Sequence, residues 1–388
     1  MRVAIVHDWL TGMRGGERCL EVFCEIFPDA TLFTLVHLPG SVSPTIDRMR
    51  IRTSFLQRLG PFRKGFRALL PLFPLAVEGF DLRGYDLVIS SSHCVAKGAL
   101  AAPGARHVAY IYTPMRYVWD QAGAYADGLG WGPVRRAAAA PVAGYLRLWD
   151  AASSLRVDEF IGISRHVARR IRRCYGRDAA VIYPPVDVRR FQAGEGEGDY
   201  YLVVSALVPY KRVDLAVRAC TRLRRPLKVV GVGPQARRLR QLAGPGIEFL
   251  GQRSDEEVAA LYAHCRALLF PGLEDFGIAP LEAQAAGRPV IAYGDGGACE
   301  TVVPLNPRPP APTGPPQAPR AAEGGPTGVF FYDPTPDGLA GAIQLFEANR
   351  GAFDPKVLRD HALAFDRPIF KQAMARYLGH PSGENARC

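Results

Sequence analysis

The sequence predicts an α/β protein with two Rossmann-like, doubly wound domains. Short runs of Val, Ile, Leu and Phe recur along the 388 residues without polar alternation, which is typical of parallel strands covered on both faces. Stretches of helical length separate these runs, as in βα units. A break rich in Pro, Gly and Glu at residues 183–199 divides the runs into two series.

The predicted strands follow in chain order. The first series consists of VAIV, DLVIS, HVAYIY and EFIGI, at residues 3–6, 86–90, 107–112 and 159–163. The second consists of YLVVSAL, LKVVGVG, IEFLG, ALLFPG, PVIAYG and GVFFY, at residues 201–207, 227–233, 247–251, 267–272, 289–294 and 328–332. We therefore assign residues 1–182 to an N-terminal domain and 183–365 to a C-terminal domain. Ligands of such sheets bind at the carboxyl ends of the strands, so we expect the domains to face each other across a cleft.

One segment interrupts the second series. Residues 304–327 are rich in proline and have little to bury, which predicts a disordered insertion.

Positive charge is concentrated in the first half of the chain. Residues 1–180 carry 24 Lys and Arg against 15 Asp and Glu, whereas residues 181–388 carry 24 against 22. Such a field attracts nucleic acid or an anionic membrane. No recognition motif for nucleic acid accompanies the basic segments, so we predict no nucleic-acid partner.

Residues 50–73 combine arginines with apolar side chains, in the stretch RIRTSFLQRLGPFRKGFRALLPLF. This composition favours contact with the anionic inner leaflet of a membrane. The alternative is an ordinary pair of domain helices with solvated arginines.

Composition also indicates the compartment. The eight cysteines show no Cys-x-x-Cys spacing, and no apolar stretch reaches the roughly 20 residues of a membrane span. We expect reduced thiols and a cytoplasmic protein, peripheral on the inner face of the cytoplasmic membrane. No Asp-x-Asp motif or His/Cys cluster with metal spacing is present, which predicts a metal-independent reaction.

Two acids stand out in PGLEDFGIAPLEAQAAGRPVIA, residues 271–292. Glu274 and Glu282 lie eight residues apart around a Phe-Gly turn. Pro280 suits the first position of a helix and Gly287 its end, so we place Glu274 in a loop and Glu282 in the first helical turn.

The backbone between these acids suits an anion. The N–H groups of Phe276, Gly277 and Ile278 precede the positive end of the predicted helix, where phosphate oxygens are stabilised. Carboxylates beside them can accept hydrogen bonds from sugar hydroxyls. The alternative is that Glu274 caps a turn and Glu282 complements the helix dipole.

The pattern of an acid, Phe-Gly, a second Glu and Gly-Arg-Pro-Val-Ile-Ala resembles the signature of retaining glycosyltransferases of family 4, which have the GT-B fold. Further stretches resemble the bacterial polysaccharide branch of this family, including mannosyltransferases. They are VHDWLTGMRGGER, SSSHCVAKG (90–98), YTPMRYVWD (112–120), VIYPPVD (181–187), LVPYKRVDLAV (207–217) and GGACETVV (296–303).

The resemblance implies roles for individual residues. Glu274 would bind the donor sugar and Glu282 the nucleotide ribose. Gly15 and Gly16, in the turn between the first strand and the first helix, would admit the donor phosphates. Lys211 would stabilise the charge that develops on the departing diphosphate. We therefore take Lys211 and Glu274 as the catalytic pair.

The chain departs from the family pattern at two positions. Ala206 stands where the family has an Arg that assists the Lys, so Arg212 is a candidate to compensate. Tyr112 stands where many relatives have a His that touches the donor sugar, and a Tyr cannot carry positive charge. Arg116 either faces the cleft or pairs with Asp120 four residues on.

A different enzyme class also matches part of the sequence. Gly231-x-Gly233-x-x-Ala236 follows a strand and precedes a helix, as in NAD(P)-dependent oxidoreductases. In the resembled family the same loop, including Gly233, lies by the nucleotide. A noncatalytic nucleotide-sugar binder is a third interpretation, which Ala206 and Tyr112 favour.

The resemblance implies a retaining transfer from a nucleotide sugar, GDP-mannose or a UDP-sugar, to a polysaccharide or lipid-linked acceptor. The sugar donor is a co-substrate, and we expect no other cofactor. The resemblance further implies that a helix at about residues 366–380 returns to the first domain.

Overall fold

The computed structural model describes residues 1–59, 65–116, 118–119, 123, 132–194, 196, 198–307 and 324–379. The chain forms two compact units. The first comprises Met1–Pro185 with Pro368–Cys388, and the second comprises Val186–Arg367. Each unit contains one parallel sheet with helices between its strands, which confirms the predicted α/β class with two Rossmann-like domains.

The first unit contains a seven-stranded parallel sheet in the order β3-β2-β1-β4-β5-β6-β7. Its strands are β1 (Val3–His7), β2 (Thr31–Thr34), β3 (Arg50–Thr53), β4 (Leu87–Ser92), β5 (Arg106–Ile111), β6 (Glu159–Gly162) and β7 (Ala180–Val181). Its helices are α1 (Gly15–Ile26), α2 (Pro44–Asp47), α3 (Phe73–Glu78), α4 (Pro133–Ser153) and α5 (Arg165–Tyr175). The central strands β1, β4 and β5 are almost wholly buried, as their unbroken apolar runs predict.

The second unit contains a six-stranded parallel sheet in the order β10-β9-β8-β11-β12-β13. Its strands are β8 (Tyr200–Val204), β9 (Leu227–Val230), β10 (Ile247–Gly251), β11 (Cys265–Phe270), β12 (Val290–Tyr293) and β13 (Gly328–Phe331). Its helices are α6 (Val213–Leu223), α7 (Ala236–Leu242), α8 (Asp255–His264), α9 (Ile278–Ala285), α10 (Ala298–Thr301), α11 (Pro336–Ala348) and α12 (Pro355–Leu363). The last helix of the chain, α13 (Arg367–Leu378), follows at the junction of the two units.

Every strand predicted from the sequence overlaps an observed one, but three observed strands were not predicted. Threonines at both ends leave β2 only two apolar residues, although all four of its residues are buried. Arginines occupy the exposed edge strand β3, and β7 has only two residues. Apolar runs as short as these do not predict a strand.

The chain passes between the units at two places, after Pro185 and after Arg367. The first place lies inside the predicted break at 183–199. Most of the predicted insertion at 304–327 lies outside the described residues, since the description stops at 307 and resumes at 324. At its ends, Pro304 forms a bridge with Gly328, the first residue of β13.

Two further features concern the helices and the cysteines. In the part of the chain that the structure describes, no helix is both long and apolar enough to cross a bilayer. The seven described cysteines form no disulfide with one another.

The helix α13 packs onto the first unit through Phe370, which is 2% exposed. The ring of Phe370 lies 5.8 Å from that of Phe23 on α1 and 5.7 Å from that of Tyr110 on β5. Lys371 forms an ion pair of 3.1 Å with Glu25, also on α1. The C-terminal segment therefore completes the core of the first unit.

We predict that Phe370→Ala lowers the free energy of unfolding by about 3 to 5 kcal/mol, because it leaves a cavity among aromatic rings. The matched control is Ile369→Ala, since Ile369 is 50% exposed on the same helix and should cost far less. Urea unfolding followed by circular dichroism measures both. Equal losses for the two variants would contradict this packing.

Candidate functional site

The structure brings Lys211 and Glu274 into direct contact. Lys211 ends a short 3₁₀ turn after β8, and Glu274 lies in the loop after β11. The Lys211 Nζ forms an ion pair with Oε1 of Glu274, and their side chains are 22% and 10% exposed. Because β8 and β11 are neighbours in the sheet, their carboxyl ends place these two loops side by side.

Two glycines allow the loop that carries Glu274 to lie where it does. A Cβ on Gly272 would sit 2.9 Å from the Cα of Lys211, so any larger residue would push the two loops apart. A Cβ on Gly297 would sit 2.3 Å from the Cα of Phe276. The N–H of Gly297 instead donates to the carbonyl of Glu274 at 2.7 Å. The loop is thus fixed from both sides before any ligand binds.

The helix α9 begins two residues earlier than the sequence predicts. Gly277 has a φ of 109°, which only glycine adopts readily, and this turn starts the helix at Ile278. Pro280 is therefore the third residue of α9 and not the first. Among the described residues no side chain caps this helix, so its first backbone N–H groups have no side-chain acceptor. They come just after Phe276, whose side chain is buried.

The early start corrects the placement of Glu282. It is the fifth residue of α9, in the second turn, whereas the sequence predicted the first turn. Its Oε2 accepts a hydrogen bond of 3.0 Å from the hydroxyl of Tyr262, a fully buried residue of α8. Burial raises the pKa of Tyr262, as does the adjacent carboxylate, so the phenol stays a donor that orients Glu282.

Arg212 does not join Lys211 and Glu274. Its backbone is left-handed, with a φ of 49°, and its Nε donates to Asp214 at 3.2 Å. Arg212 also lines a cavity of about 310 Å³, together with Val208, Pro209, Val213, Asp214, Gln235, Arg238 and Leu239. The guanidinium is thus bound by an acid two residues on, and its predicted role as a second cation in place of an Arg at position 206 remains a prediction.

The glycines of the dinucleotide-like fingerprint have a packing role. Cβ atoms on Gly231 and Gly233 would sit 1.9 Å from the carbonyl oxygen of Ser205 and 2.4 Å from that of Leu207. The N–H of Leu207 also donates to the carbonyl of Val232 at 3.0 Å. Close approach of two loops thus accounts for both glycines without a bound dinucleotide.

In the first unit, Tyr112 is bonded to the predicted glycine turn. Its hydroxyl donates to the carbonyl of Gly16 at 2.9 Å and lies 2.7 Å from Oγ of Ser91. Ser91 in turn lies 2.9 Å from Nδ1 of His7. Burial raises the pKa of Tyr112, so the phenol is neutral. Tyr112 therefore holds the start of α1 in place.

Gly15 and Gly16 are the first two residues of α1, so they open the helix and do not precede it in a separate turn. A Cβ on Gly16 would lie 3.6 Å from the ring of Tyr112, which is an ordinary contact. The protein itself therefore does not require glycine at position 16, and the predicted role toward donor phosphates remains a prediction.

The two interpretations of Arg116 are not resolved, because Asp120 lies outside the described residues. The Nε of Arg116 lies 3.5 Å from Oγ1 of Thr113, which also accepts a hydrogen bond of 2.6 Å from Arg170.

Asp8, which directly follows β1, is a functional candidate that no sequence motif indicated. This carboxylate is 1% exposed and accepts four backbone hydrogen bonds from the loop after β4, given by the N–H groups of His93, Cys94, Val95 and Ala96 at 2.7 to 2.9 Å. The Nδ1 of His93 lies 3.0 Å from Asp8 Oδ2, and the imidazole is 25% exposed. Asp8 therefore orients a ring that a ligand can reach.

Asp8 also carries a lowered pKa. Burial alone would raise the pKa of this carboxyl, but the charge and hydrogen bonds of His93, with the charge of His7, outweigh burial. The sequence carried one signal: Asp8 and His93 come just after β1 and β4, two strands that pair directly in the sheet.

The stretch at residues 50–73, predicted to contact a membrane, is not one continuous amphipathic face in its described part, which leaves out 60–64. It begins as the edge strand β3 and continues in short 3₁₀ turns. Leu56 and Phe66 are 4% and 5% exposed and belong to the core of the first unit. Phe55 and Leu59 remain exposed.

No group of three or more His, Cys, Asp or Glu side chains in the described ranges could hold a metal ion.

Comparisons with known proteins define the class. A family model described as "Glycosyltransferase Family 4" matches residues 29–190, and one described as "Glycosyl transferases group 1" matches residues 187–359. HepE from Anabaena, solved in complex with UDP, has 17% identity and a TM-score of 0.69, over 98% of this chain and 100% of that one. This likeness shows a GT-B fold. The two family models together match residues 29–359, and the chain belongs to the family 4 glycosyltransferases.

Curated relatives are more similar in sequence but over shorter segments. A GDP-mannose-dependent alpha-(1-6)-phosphatidylinositol monomannoside mannosyltransferase of Mycolicibacterium smegmatis is 31% identical over 36% of this chain and 45% of its own length. O-antigen chain mannosyltransferase C of Escherichia coli is 36% identical over 25% of this chain and 29% of its own length. These matches span less than half the length of each relative. The family match does not favour the oxidoreductase alternative.

We predict that Asp8→Asn lowers the free energy of unfolding by about 3 kcal/mol, because an amide cannot accept four backbone hydrogen bonds or pair with His93. Asp29→Asn is the control, since Asp29 is exposed in the same unit. Urea unfolding at pH 7 measures both variants. Equal stability of Asp8→Asn and the wild type would show that Asp8 does not hold the loop after β4.

The difference in unfolding free energy between the wild type and Asp8→Asn should depend on pH. The folded pKa of Asp8 lies below its unfolded value of about 3.9, so its stabilising contribution is complete above that value and is lost as the pH falls. The difference in unfolding free energy between wild type and Asp8→Asn should therefore shrink as the pH falls below about 4. An equal difference at about pH 5 and about pH 3 would contradict the assignment.

Proposed function

We propose that the protein is a retaining, metal-independent hexosyltransferase that moves a sugar from a nucleotide-sugar donor to a polysaccharide or lipid-linked acceptor in cell-envelope glycan synthesis. The observation that carries the proposal is the pairing of Lys211 with Glu274 beside the uncapped start of α9. A cation and backbone N–H groups there can bind the oxygens of the diphosphate in a nucleotide sugar. A carboxylate beside them can bind the hydroxyls of the sugar.

The ion pair gives each partner a defined role when a donor binds. The ammonium of Lys211 would donate to an oxygen of the leaving diphosphate, whose negative charge grows as the bond to the sugar breaks. Glu274 would then accept a hydrogen bond from a sugar hydroxyl. Tyr262 keeps Glu282 in a fixed orientation, which suits a second hydroxyl on the ribose.

The bond changes of the proposed reaction balance without a metal. The bond between the anomeric carbon and the diphosphate oxygen breaks, and its electron pair stays on the diphosphate. The acceptor hydroxyl bonds to the same face of the anomeric carbon, which retains the configuration. The acceptor proton passes to the departing phosphate oxygen.

The donor is best taken as GDP-mannose, because the relatives above include a GDP-mannose-dependent mannosyltransferase. A UDP-sugar is the alternative, since HepE was solved with UDP. A lipid-linked acceptor would place the protein on the inner face of the cytoplasmic membrane, peripherally bound. The net positive charge of residues 1–180 suits an anionic surface of that kind.

A noncatalytic nucleotide-sugar binder is the second candidate. Two observations favour it: the Arg212 guanidinium is bonded to Asp214, and the hydroxyl of Tyr112 is bonded inside the first unit.

We predict that Lys211→Ala lowers the turnover number for sugar transfer by about a hundredfold or more, because a donor to the developing charge is lost. Lys356→Ala is the matched control, since Lys356 is exposed in the first turn of α12 in the same unit. Release of nucleoside diphosphate from GDP-mannose or UDP-glucose measures the rate. An unchanged rate in Lys211→Ala would remove Lys211 from the reaction.

We also predict that one nucleoside diphosphate raises the melting temperature of the wild type by mass action, and that the rise is smaller in Lys211→Ala. A thermal-shift comparison of GDP, UDP and ADP identifies the base. Stabilisation by GDP or UDP without any turnover of the matching nucleotide sugars would support the noncatalytic binder. Stabilisation by none of them would contradict both candidates.

A further inference from the structure

The helix α4 (Pro133–Ser153) projects from the first unit over half its length. Its C-terminal half is anchored in the protein by Leu146, Asp150 and Ser153, which are at most 1% exposed. Its N-terminal half, residues 133–142, has no buried residue. The projecting half is therefore not held by packing within the first unit.

The exposed face of α4 is apolar. Val134, Tyr145 and Leu148 are 81%, 49% and 76% exposed, and Ala138 and Pro141 lie between them. These five positions are spaced by three, four or seven residues, so they fall on one side of the helix and form a stripe about 21 Å long. We call these five residues the α4 stripe. An apolar stripe of this length on a surface marks a site of interaction.

Along the α4 stripe the chain carries positive charge and no acidic residue. No Asp or Glu occurs from residue 128 to residue 149, and Arg135 and Arg136 are exposed beside Val134. The basic helix α5 packs next to α4, since the hydroxyl of Tyr175 donates to Asp150 at 3.0 Å.

The helix α5 adds further cations. It has no acidic residue and presents five arginines and a histidine in eleven positions. Arg169 and Arg173 are exposed, and neither has a hydrogen bond or ion pair to any residue that the structure describes. Cations without local partners are available to an anionic surface.

We propose that the α4 stripe lies in the interface of an anionic lipid bilayer, with the arginines of α4 and α5 on the phosphate headgroups. A helix with one apolar face and basic flanks binds in this way, its apolar side chains reaching roughly 5 to 10 Å into the headgroup boundary. The helix α4 does not meet the requirements for a membrane span. This docking does not depend on the proposed transfer reaction.

Two alternatives fit the structure less well: a second copy of the chain on the α4 stripe, and a different membrane-contacting surface. A second copy of the chain would bring like-charged arginines together across a two-fold axis. The stretch at residues 50–73 has arginines but places Leu56 and Phe66 in the core. Only α4 combines an exposed apolar stripe with a basic surround among the described helices of the first unit.

Vesicle cosedimentation tests the proposal, with the full chain and vesicles of phosphatidylcholine with or without phosphatidylglycerol. The wild type should bind the anionic vesicles and not the neutral ones. Val134→Ser with Leu148→Ser should weaken that binding at least about tenfold. The matched control is Leu75→Ser with Ile369→Ser, which removes two apolar residues that are 61% and 50% exposed elsewhere in the first unit. Equal weakening by the two double variants would overturn the proposal.

A second pair of variants tests the charges. Arg169→Gln with Arg173→Gln should weaken binding to anionic vesicles about tenfold or more at low salt. Arg50→Gln with Arg52→Gln removes the same charge from the exposed strand β3 and should have less effect. A larger loss from the β3 pair would assign the membrane to residues 50–73 and overturn the proposal.

Hydrogen exchange locates the contact without relying on any variant. Amides of residues 133–148 should exchange more slowly with anionic vesicles present, whereas those of residues 50–59 should not change. Protection at 50–59 alone would overturn the proposal. Sedimentation velocity without lipid tests for a second copy of the chain. A wild-type dimer that Val134→Ser with Leu148→Ser abolishes would assign the α4 stripe to a second copy and overturn the proposal.

Discussion

The ion pair between Lys211 and Glu274 is the contact around which the candidate site of the second unit is organised. Parallel pairing of β8 with β11 brings the two loops together, and the glycine at 272 removes the side chain that would hold them apart. The pair is neither fully buried nor fully solvated. An ammonium in such a position remains open to an anion that competes with Glu274 for it.

The sequence predicted most of the strands whose burial is uniform, although not the short β2. Strands such as β4 and β11, covered on both faces, appear as unbroken apolar runs. Strand β3 escaped prediction because edge position allows arginines to alternate with apolar residues. The start of α9 was misplaced because Pro280 fits a first helical turn at any of several positions, and the backbone of Gly277 decides among them.

The candidate site was predictable as a set of residue types but not as a set of contacts. Nothing in the spacing indicates that Glu274 binds Lys211, since the two residues are far apart in the chain and meet only through strand order. Asp8 was missed for a different reason. Its partners are mainly backbone N–H groups, which every residue except proline carries, so only the position of Asp8 after β1 distinguishes it in the sequence. The prediction that Arg212 assists Lys211 did not allow for Asp214, two residues on, whose carboxylate binds the guanidinium.

Pro141 lies where the projecting half of α4 meets the anchored half. A proline inside a helix has no N–H for the carbonyl one turn earlier, and its ring crowds that carbonyl. Stiffness along α4 is therefore lowest at this residue. Bending should therefore be concentrated at Pro141. The outer two and a half turns can then move as one rigid segment, while the inner turns stay anchored in the first unit.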